Sequence, residues 1–278
     1  MHSEGVQPQD ARTGLATIAP GEHNYLVQMV GICKSFGGLQ ALKDVDLNVR
    51  YREVMGLVGD NAAGKSTLMK ILTGAYTADS GHIIFDGQRV NIQHPHDSRN
   101  LGVEMIYQEL GLCAKRNATA NLFLGRERVK MSLGILKVLD WPGMRQDAAE
   151  ILDNLHIRLR SLDLPIEKLS GGQRQAVAIG RAVSFNPKLV IMDEPTASLA
   201  LKEVDAVLEL VASLRHRGIS VILISHRLQD VFRVADRITI LRSGEVAATH
   251  VTCDVTMDDV VSLMFLGRER NGRQHSRP

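Results

Sequence analysis

Three short stretches carry residues whose types and spacing suit chemistry on a polyphosphate. In "GDNAAGKST", Gly59, Gly64, Lys65 and Ser66 satisfy the pattern Gly-x-x-x-x-Gly-Lys-[Ser/Thr], which needs a strand before it and a helix after it. Backbone N–H groups of such a loop, and of the helix it opens, point at phosphate oxygens, and the helix dipole favours the anion. Lys65 is placed to reach the β- and γ-phosphates and Ser66 to ligate Mg²⁺. The second stretch, "LVIMDEP", ends an apolar run on the adjacent carboxylates Asp193 and Glu194. There Asp193 can hold Mg²⁺ through its water shell and Glu194 can polarise an attacking water. The third, "LSGGQ", holds Ser170, Gly171, Gly172 and Gln173. Ser170 and Gln173 have capping-box spacing, but two glycines in a first helical turn cost roughly 1 kcal/mol each against alanine. A plain cap has no need of them. They let a second anion approach the backbone N–H groups.

These residues need elements to position them. "EVMGLVG" before the loop, "LVIMD" and "SVILIS" are short, continuously apolar runs, as expected of parallel strands covered on both faces. "STLMKILTG" reads as a helix with Leu68, Ile71 and Leu72 on one face and Gly74 as its stop. Residues Glu203 to Arg217 form another. Strands alternating with helices predict an α/β sheet with right-handed crossovers. "YLVQMVGICKSF", "LKDVDLNVR" and "GHIIFDGQRVNI" alternate in part and predict a small antiparallel sheet beside it. Residues 109–169 read as mainly helical, best in "MRQDAAEILDNLHI", while "SLGILKVLDWPG" fits no element clearly. "FLGRER" occurs at Phe123 and again at Phe265; the flanks do not match, and the repeat reads as coincidence.

Composition narrows the class. The 278 residues are 44% hydrophobic and 23% charged, with a net charge of +2, ordinary for a globular protein. No basic stripe points to nucleic acid as a partner. Three well-separated cysteines (Cys33, Cys113, Cys253) read as reduced thiols. No apolar run approaches the roughly 20 residues that span a bilayer. Residues 1–24 read as a disordered lead and residues 268–278 as a polar, Arg-rich tail.

"GDNAAGKST", "LSGGQ" and "IMDEP" together resemble the nucleotide-binding subunit of an ATP-binding-cassette transporter, over roughly residues 25–267. The resemblance implies a P-loop NTPase (RecA-like) parallel-sheet core, an antiparallel β subdomain and an α-helical signature subdomain at about 109–180. It implies ATP and Mg²⁺ as cofactors, with Gly59, Asp60, Asn61, Ala62, Ala63, Gly64, Lys65, Ser66 and Thr67 around the phosphates. Gln108 in "IYQE" matches the glutamine that links metal and water to the transport subunit. His226 in "LISHR" matches the histidine that contacts the γ-phosphate, and Phe36 in "KSFGG" the aromatic on which adenine stacks. Glu194, His226, Lys65 and Gln108 would form the catalytic set, and Ser66, Gln108 and Asp193 the metal set. Ser170, Gly171, Gly172 and Gln173 would bind the ATP of a second subunit, paired head to tail as a homodimer. The further implied partners are transmembrane permease subunits and, indirectly, an extracytoplasmic sugar-binding protein, with the chain on the cytoplasmic face of the inner membrane. "GDN", "YQEL" and "ISHRLQDVFRVADRITILRSGE" are most similar to single-cassette importers of ribose, xylose or fructose type. The alternatives are an importer of another small solute, a weakly hydrolysing ATP-dependent scaffold, and a soluble cassette acting on DNA or ribosomes. The last would need two cassettes or a long coiled-coil insertion.

Two positions depart from that family's pattern. Ala62 stands where the loop usually has a glycine, and a left-handed backbone there would cost roughly 1–2 kcal/mol. Strain felt only with nucleotide bound would weaken ATP binding about tenfold per 1.4 kcal/mol. Ala200 in "EPTASLALKE" stands where the family usually has an aspartate that speaks to the partner's phosphate loop. The expectation is a working but slower ATPase.

Overall fold

The computed structural model describes residues 24–133 and 136–266. In chain order the strands and helices are β1 (Tyr25–Phe36), β2 (Leu39–Arg50), β3 (Val54–Gly59), α1 (Lys65–Leu72), β4 (Ser80–Phe85), β5 (Gln88–Val90), α2 (Pro95–Asn100), β6 (Val103–Ile106) and α3 (Ala118–Leu122). Then come β7 (Val129–Leu133), β8 (Leu136–Leu139), α4 (Trp141–Asn154), α5 (Gly171–Val183), β9 (Leu189–Asp193), α6 (Leu201–His216), β10 (Ser220–Ile224), α7 (Leu228–Val234), β11 (Arg237–Arg242), β12 (Glu245–Val251) and α8 (Met257–Leu266).

The central sheet has strand order β12-β11-β3-β10-β9-β6. All of its pairings are parallel except β11 with β12 at the edge. Every residue of β3 and β10 is buried, which is why those runs are apolar without alternation. Their side chains divide between two cores. Val54, Val58, Val190, Met192, Val221 and Leu223 pack with α5, α6, α7 and α8. Met55, Leu57, Ile191, Ile222 and Ile224 pack with α1 and the second, antiparallel sheet. That sheet, of order β2-β1-β4-β5, arises from the segments whose apolar residues alternate.

The segment 109–169 departs from the mainly helical expectation. It contains α3 and α4, but β7 and β8 form an antiparallel hairpin over the stretch that fitted no element. The cause is local. Val129 and Met131 are two residues apart, at strand spacing, and pair with Leu139 and Val138 across an irregularity in register, whereas Asp140 starts α4 by accepting the Gly143 N–H at 3.1 Å, with Pro142 in the first turn. The two "FLGRER" copies have unlike surroundings, for Phe123 is buried and Phe265 is 58% exposed. The expected disordered lead and polar tail lie outside the described residues, apart from Asn24.

One buried polar side chain shapes the path from the sheet to these helices. Asn121 is fully buried. Its Oδ1 accepts the Cys113 N–H at 2.7 Å, and its Nδ2 donates to the carbonyls of Cys113, Arg116 and Asn117. A second clamp comes from Arg181 on α5, which donates to the carbonyls of Leu110 and Gly111 at 2.7 and 2.8 Å. The loop leaving β6 is thus fixed by side chains rather than by a ladder. Replacing Asn121 by Leu strands the Cys113 N–H, a buried donor worth about 1–3 kcal/mol when unsatisfied, while the three carbonyls keep the backbone N–H groups of Arg116, Ile166 and residue 121. A loss of about 1–3 kcal/mol is expected in urea unfolding of Asn121→Leu.

Candidate functional site

The expected phosphate-binding residues converge on one cleft at the carboxyl ends of the parallel strands, where open α/β sheets bind ligands. It has a volume of about 740 Å³ and is lined by Phe36, Asn61 to Thr67, Gln108, Asp193, Glu194 and His226, together with Leu39, Gln40, Ala41, Lys43, Ile224 and Ser243. Gly59 lies behind it, where β3 turns into the loop. A Cβ at Gly59 would stand 2.2 Å from the Leu241 carbonyl oxygen, so the close approach of β3 to β11 admits only glycine.

The loop's conformation is set by its own backbone. Ala63 N–H donates to the Asp60 carbonyl at 3.1 Å, and Gly244 N–H donates to the Ala63 carbonyl at 3.0 Å. Asn61 N–H caps the Asp60 carboxylate at 2.7 Å. Ala62 is left-handed, at φ 66°. The folded loop therefore carries the left-handed alanine anticipated at this position.

Lys65 opens α1 and is buried, with its ammonium donating to the Gly59 carbonyl at 2.8 Å and the Asp60 carbonyl at 3.0 Å. Burial lowers its pKa, and the charges of Glu194, Asp193 and Asp60 oppose that shift. The carboxylates feel the converse. Burial raises the pKa of Asp193 against Lys65, His226 and Lys70. It raises that of Glu194 as well, with His226 opposing and Asp193 adding to the rise. A carboxyl whose pKa is raised on folding binds its proton more tightly in the folded chain. Each therefore subtracts stability as pH climbs above its unfolded value, the full penalty standing above the folded value.

Glu194 sits at the tip of β9 with φ 53°, an uncommon angle for a residue with a side chain, its N–H held by the Ile224 carbonyl at 2.9 Å. The side chain is aimed at His226, whose Nε2 lies 3.4 Å from Oε1. That Oε1 is buried without a hydrogen-bond partner among the described residues. The residue as a whole lines the open cleft beside a half-exposed imidazole, a position that suits a carboxylate to accept a proton from water. Behind the pair, the Thr196 hydroxyl donates to Asp230 on α7 at 2.6 Å and ties down the segment that follows Glu194.

Phe36 ends β1 at the mouth of the cleft with 43% of its surface exposed. Tyr76 packs edge-on against it, 5.2 Å between ring centres, and the Lys34 ammonium lies 5.6 Å from its ring centre. Tyr76, Leu39, Lys43 and Ser243 were not singled out in the sequence. Only the turn "RSGE" next to Ser243 offered a signal.

The signature residues stand apart from this cleft, at the start of α5. Ser170 accepts the Gln173 N–H at 3.2 Å and Gln173 Oε1 accepts the Ser170 N–H at 3.1 Å, completing the expected capping box. The space around the glycines is shared with another helix. A Cβ on Gly172 would stand 2.9 Å from the Cβ of Glu203 on α6. Part of the reason for glycine here is thus the close packing of α6, a contact the spacing of "LSGGQ" did not reveal.

The ABC transporter family profile matches residues 42–197. The chain belongs to the ABC transporter family. It is 38% identical to the xylose/arabinose import ATP-binding protein XylG of Sulfolobus acidocaldarius, over 86% of this chain and 93% of that protein. It is 40% identical to the galactose/methyl galactoside import ATP-binding protein MglA of Salmonella typhimurium, over 93% of this chain and 50% of that one. The chain thus spans about half the length of MglA. Among solved structures, it superimposes on the ADP conformation of the cassette MJ1267 with a TM-score of 0.74 at 26% identity, covering 86% of this chain and 94% of that one. It superimposes on a nucleotide-free ATP-binding cassette with a TM-score of 0.72 at 28% identity, covering 82% and 91%. The α/β cassette fold expected from the sequence is the fold observed.

Replacing Ala62 by Gly relieves a left-handed alanine but also frees the unfolded chain, and the two effects nearly offset at about 1 kcal/mol each. The expected outcome for Ala62→Gly is a melting temperature within about 4 °C of the parent and an ATP dissociation constant within about twofold. A gain of tenfold or more in affinity would place the strain on binding instead.

Proposed function

We propose that this chain is the ATP-hydrolysing subunit of an importer, working as one of two cassettes paired head to tail, with a monosaccharide as the transported solute. The observation that carries the reading is the convergence of Lys65, Ser66, Gln108, Asp193, Glu194 and His226 on a single cleft. Residues 25–267 act as one cassette in this account, with the signature carried on a helical part at about 109–180.

The cleft's donors suit Mg²⁺. The Ser66 hydroxyl, Gln108 amide and Asp193 carboxylate are hard oxygen donors, and among the described residues no cluster of three His, Cys, Asp or Glu could hold a metal alone. Mg²⁺ is commonly held by one or two protein oxygens together with substrate phosphates, so these residues fit a metal that arrives with ATP. Bound there, the ion would neutralise charge building on the phosphates.

The chain's own residues do the rest. Lys65, released from the loop carbonyls, extends toward the β- and γ-phosphates, while loop and α1 N–H groups hold the remaining oxygens. Glu194, whose side chain lines the cleft, accepts the proton of the attacking water. His226 steadies that carboxylate and contacts the γ-phosphate. Phe36 offers its exposed ring to adenine. Ser170, Gly171, Gly172 and Gln173 take the partner subunit's ATP on the start of α5, and Gln108, at the head of the loop clamped by Asn121 and Arg181, passes the state of the site to a permease. No described helix is long and apolar enough to cross a membrane; in this reading a permease subunit forms the path. A placement at the cytoplasmic face of the membrane, with a sugar-binding protein delivering solute on the far side, follows from this reading. The sugar itself rests on the relatives named for xylose, arabinose and galactose import.

Phosphate release from ATP by the purified chain with its permease tests the reading. Glu194→Gln is expected to lower turnover about 10²–10⁴-fold, the usual worth of a general base, while ATP binding persists. A parent rate no higher than that of Glu194→Gln would favour a nucleotide-dependent scaffold.

A further inference from the structure

Two helix N-termini meet at one carboxylate. Helix α5 begins after Ser170 and α6 after Ala200, and each start carries partial positive charge from its unpaired N–H groups. Ala200 has no side-chain oxygen with which to cap α6. Glu203 reaches back instead, and its Oε2 accepts the Ala200 N–H at 3.3 Å. The same oxygen lies 3.5 Å from where a Cβ on Gly171 would stand. Across the gap, the Ser170 oxygen already accepts the Gln173 N–H, which leaves its proton to donate, and the Glu203 side chain packs on the signature glycines, its Cβ 2.9 Å from where a Cβ on Gly172 would stand. The Ser170 hydroxyl and the Gly172 N–H together draw the Glu203 pKa below the usual carboxylate range.

We propose that Glu203 is a positioning residue of the signature, its carboxylate resting on the Ser170 and Gly172 donors within one subunit and competing there with the γ-phosphate that a partner subunit presents. The inference rests on the head-to-tail reading above. Its physical basis is that one set of donors serves two anions in turn. The intramolecular carboxylate keeps the start of α5 ordered and charge-balanced in the single chain. A phosphate arriving at Ser170 meets a like charge at the same place, so pairing proceeds only as the Glu203 carboxylate swings out into solvent. The carboxylate thereby sets the nucleotide concentration at which two cassettes close on each other. Glu203 touches no reacting atom and acts through Ser170 and Gly172.

The test uses the full chain carrying Glu194→Gln, which holds ATP without consuming it, and follows the monomer–dimer midpoint by sedimentation in saturating Mg-ATP. Adding Glu203→Gln keeps an acceptor for the Ala200 N–H and removes the charge. The expected result is a midpoint about tenfold lower in protein concentration, the scale of one like-charge contact near the surface. Adding Glu203→Thr, a second neutral variant with a different shape, is expected to shift the midpoint the same way. Thermal melts without nucleotide report folding; a residue that merely caps α6 would lower the melting temperature and leave the midpoint unchanged or higher. An ATP-dependent dimer in Glu194→Gln with no tightening in either double variant overturns the inference alone. Absence of an ATP-dependent dimer in all three overturns the head-to-tail reading, and the inference with it.

Discussion

The buried ammonium of Lys65 sets the terms for the whole cleft. It lies where β3 turns into α1, bonded to the carbonyls of Gly59 and Asp60 and facing Asp193 and Glu194 at the end of β9, on the far side of β10. A cation in that place requires a loop that wraps it, a strand pair that approaches within reach of only a glycine, and carboxylates to offset its charge. Burial of the ammonium lowers its pKa and burial of the carboxylates raises theirs. Neither sign is at ease alone. The parallel sheet answers the requirement by delivering β3, β9 and β10 side by side, so that charges distant in sequence stand together at one edge.

This arrangement trades stability for function. Ala62 and Glu194 both occupy left-handed backbone that side chains seldom adopt, at a cost of order 1–3 kcal/mol each. The raised carboxylate pKa values subtract further stability at neutral pH. The compensation lies in the two apolar cores on either face of the sheet, which bury β3 and β10 completely. Strain of this kind is tolerated because the surrounding strands leave the loop no alternative path.

Much of this was legible in the sequence. Continuous apolar runs gave β3, β9 and β10, and the phosphate-loop pattern located Lys65 to within the turn that holds it. Partial alternation gave the antiparallel sheet. Other features depend on packing that no local pattern records. The hairpin of β7 and β8 was hidden because its apolar residues also suit a helix, and short segments of that kind are decided by their neighbours. Glu203 stands in the sequence only as the start of a helical stretch, since its contact with Gly172 joins segments 31 residues apart. Tyr76 escaped notice for the same reason, being set against Phe36 only once β1 and the end of α1 are brought together. In the sequence the left-handed angle of Ala62 is only a condition; that the backbone adopts it comes from the structure.

In the proposed function the cleft holds a triphosphate by way of Lys65. Calorimetric titration of the chain with Mg-ATP and with AMP, repeated on Lys65→Met, tests this, since methionine keeps a buried stem and removes the ammonium. ATP is expected to bind much more tightly than AMP, and Lys65→Met to weaken ATP at least tenfold while scarcely changing AMP. Equal affinities for ATP and AMP, or an ATP affinity untouched by Lys65→Met, would contradict it.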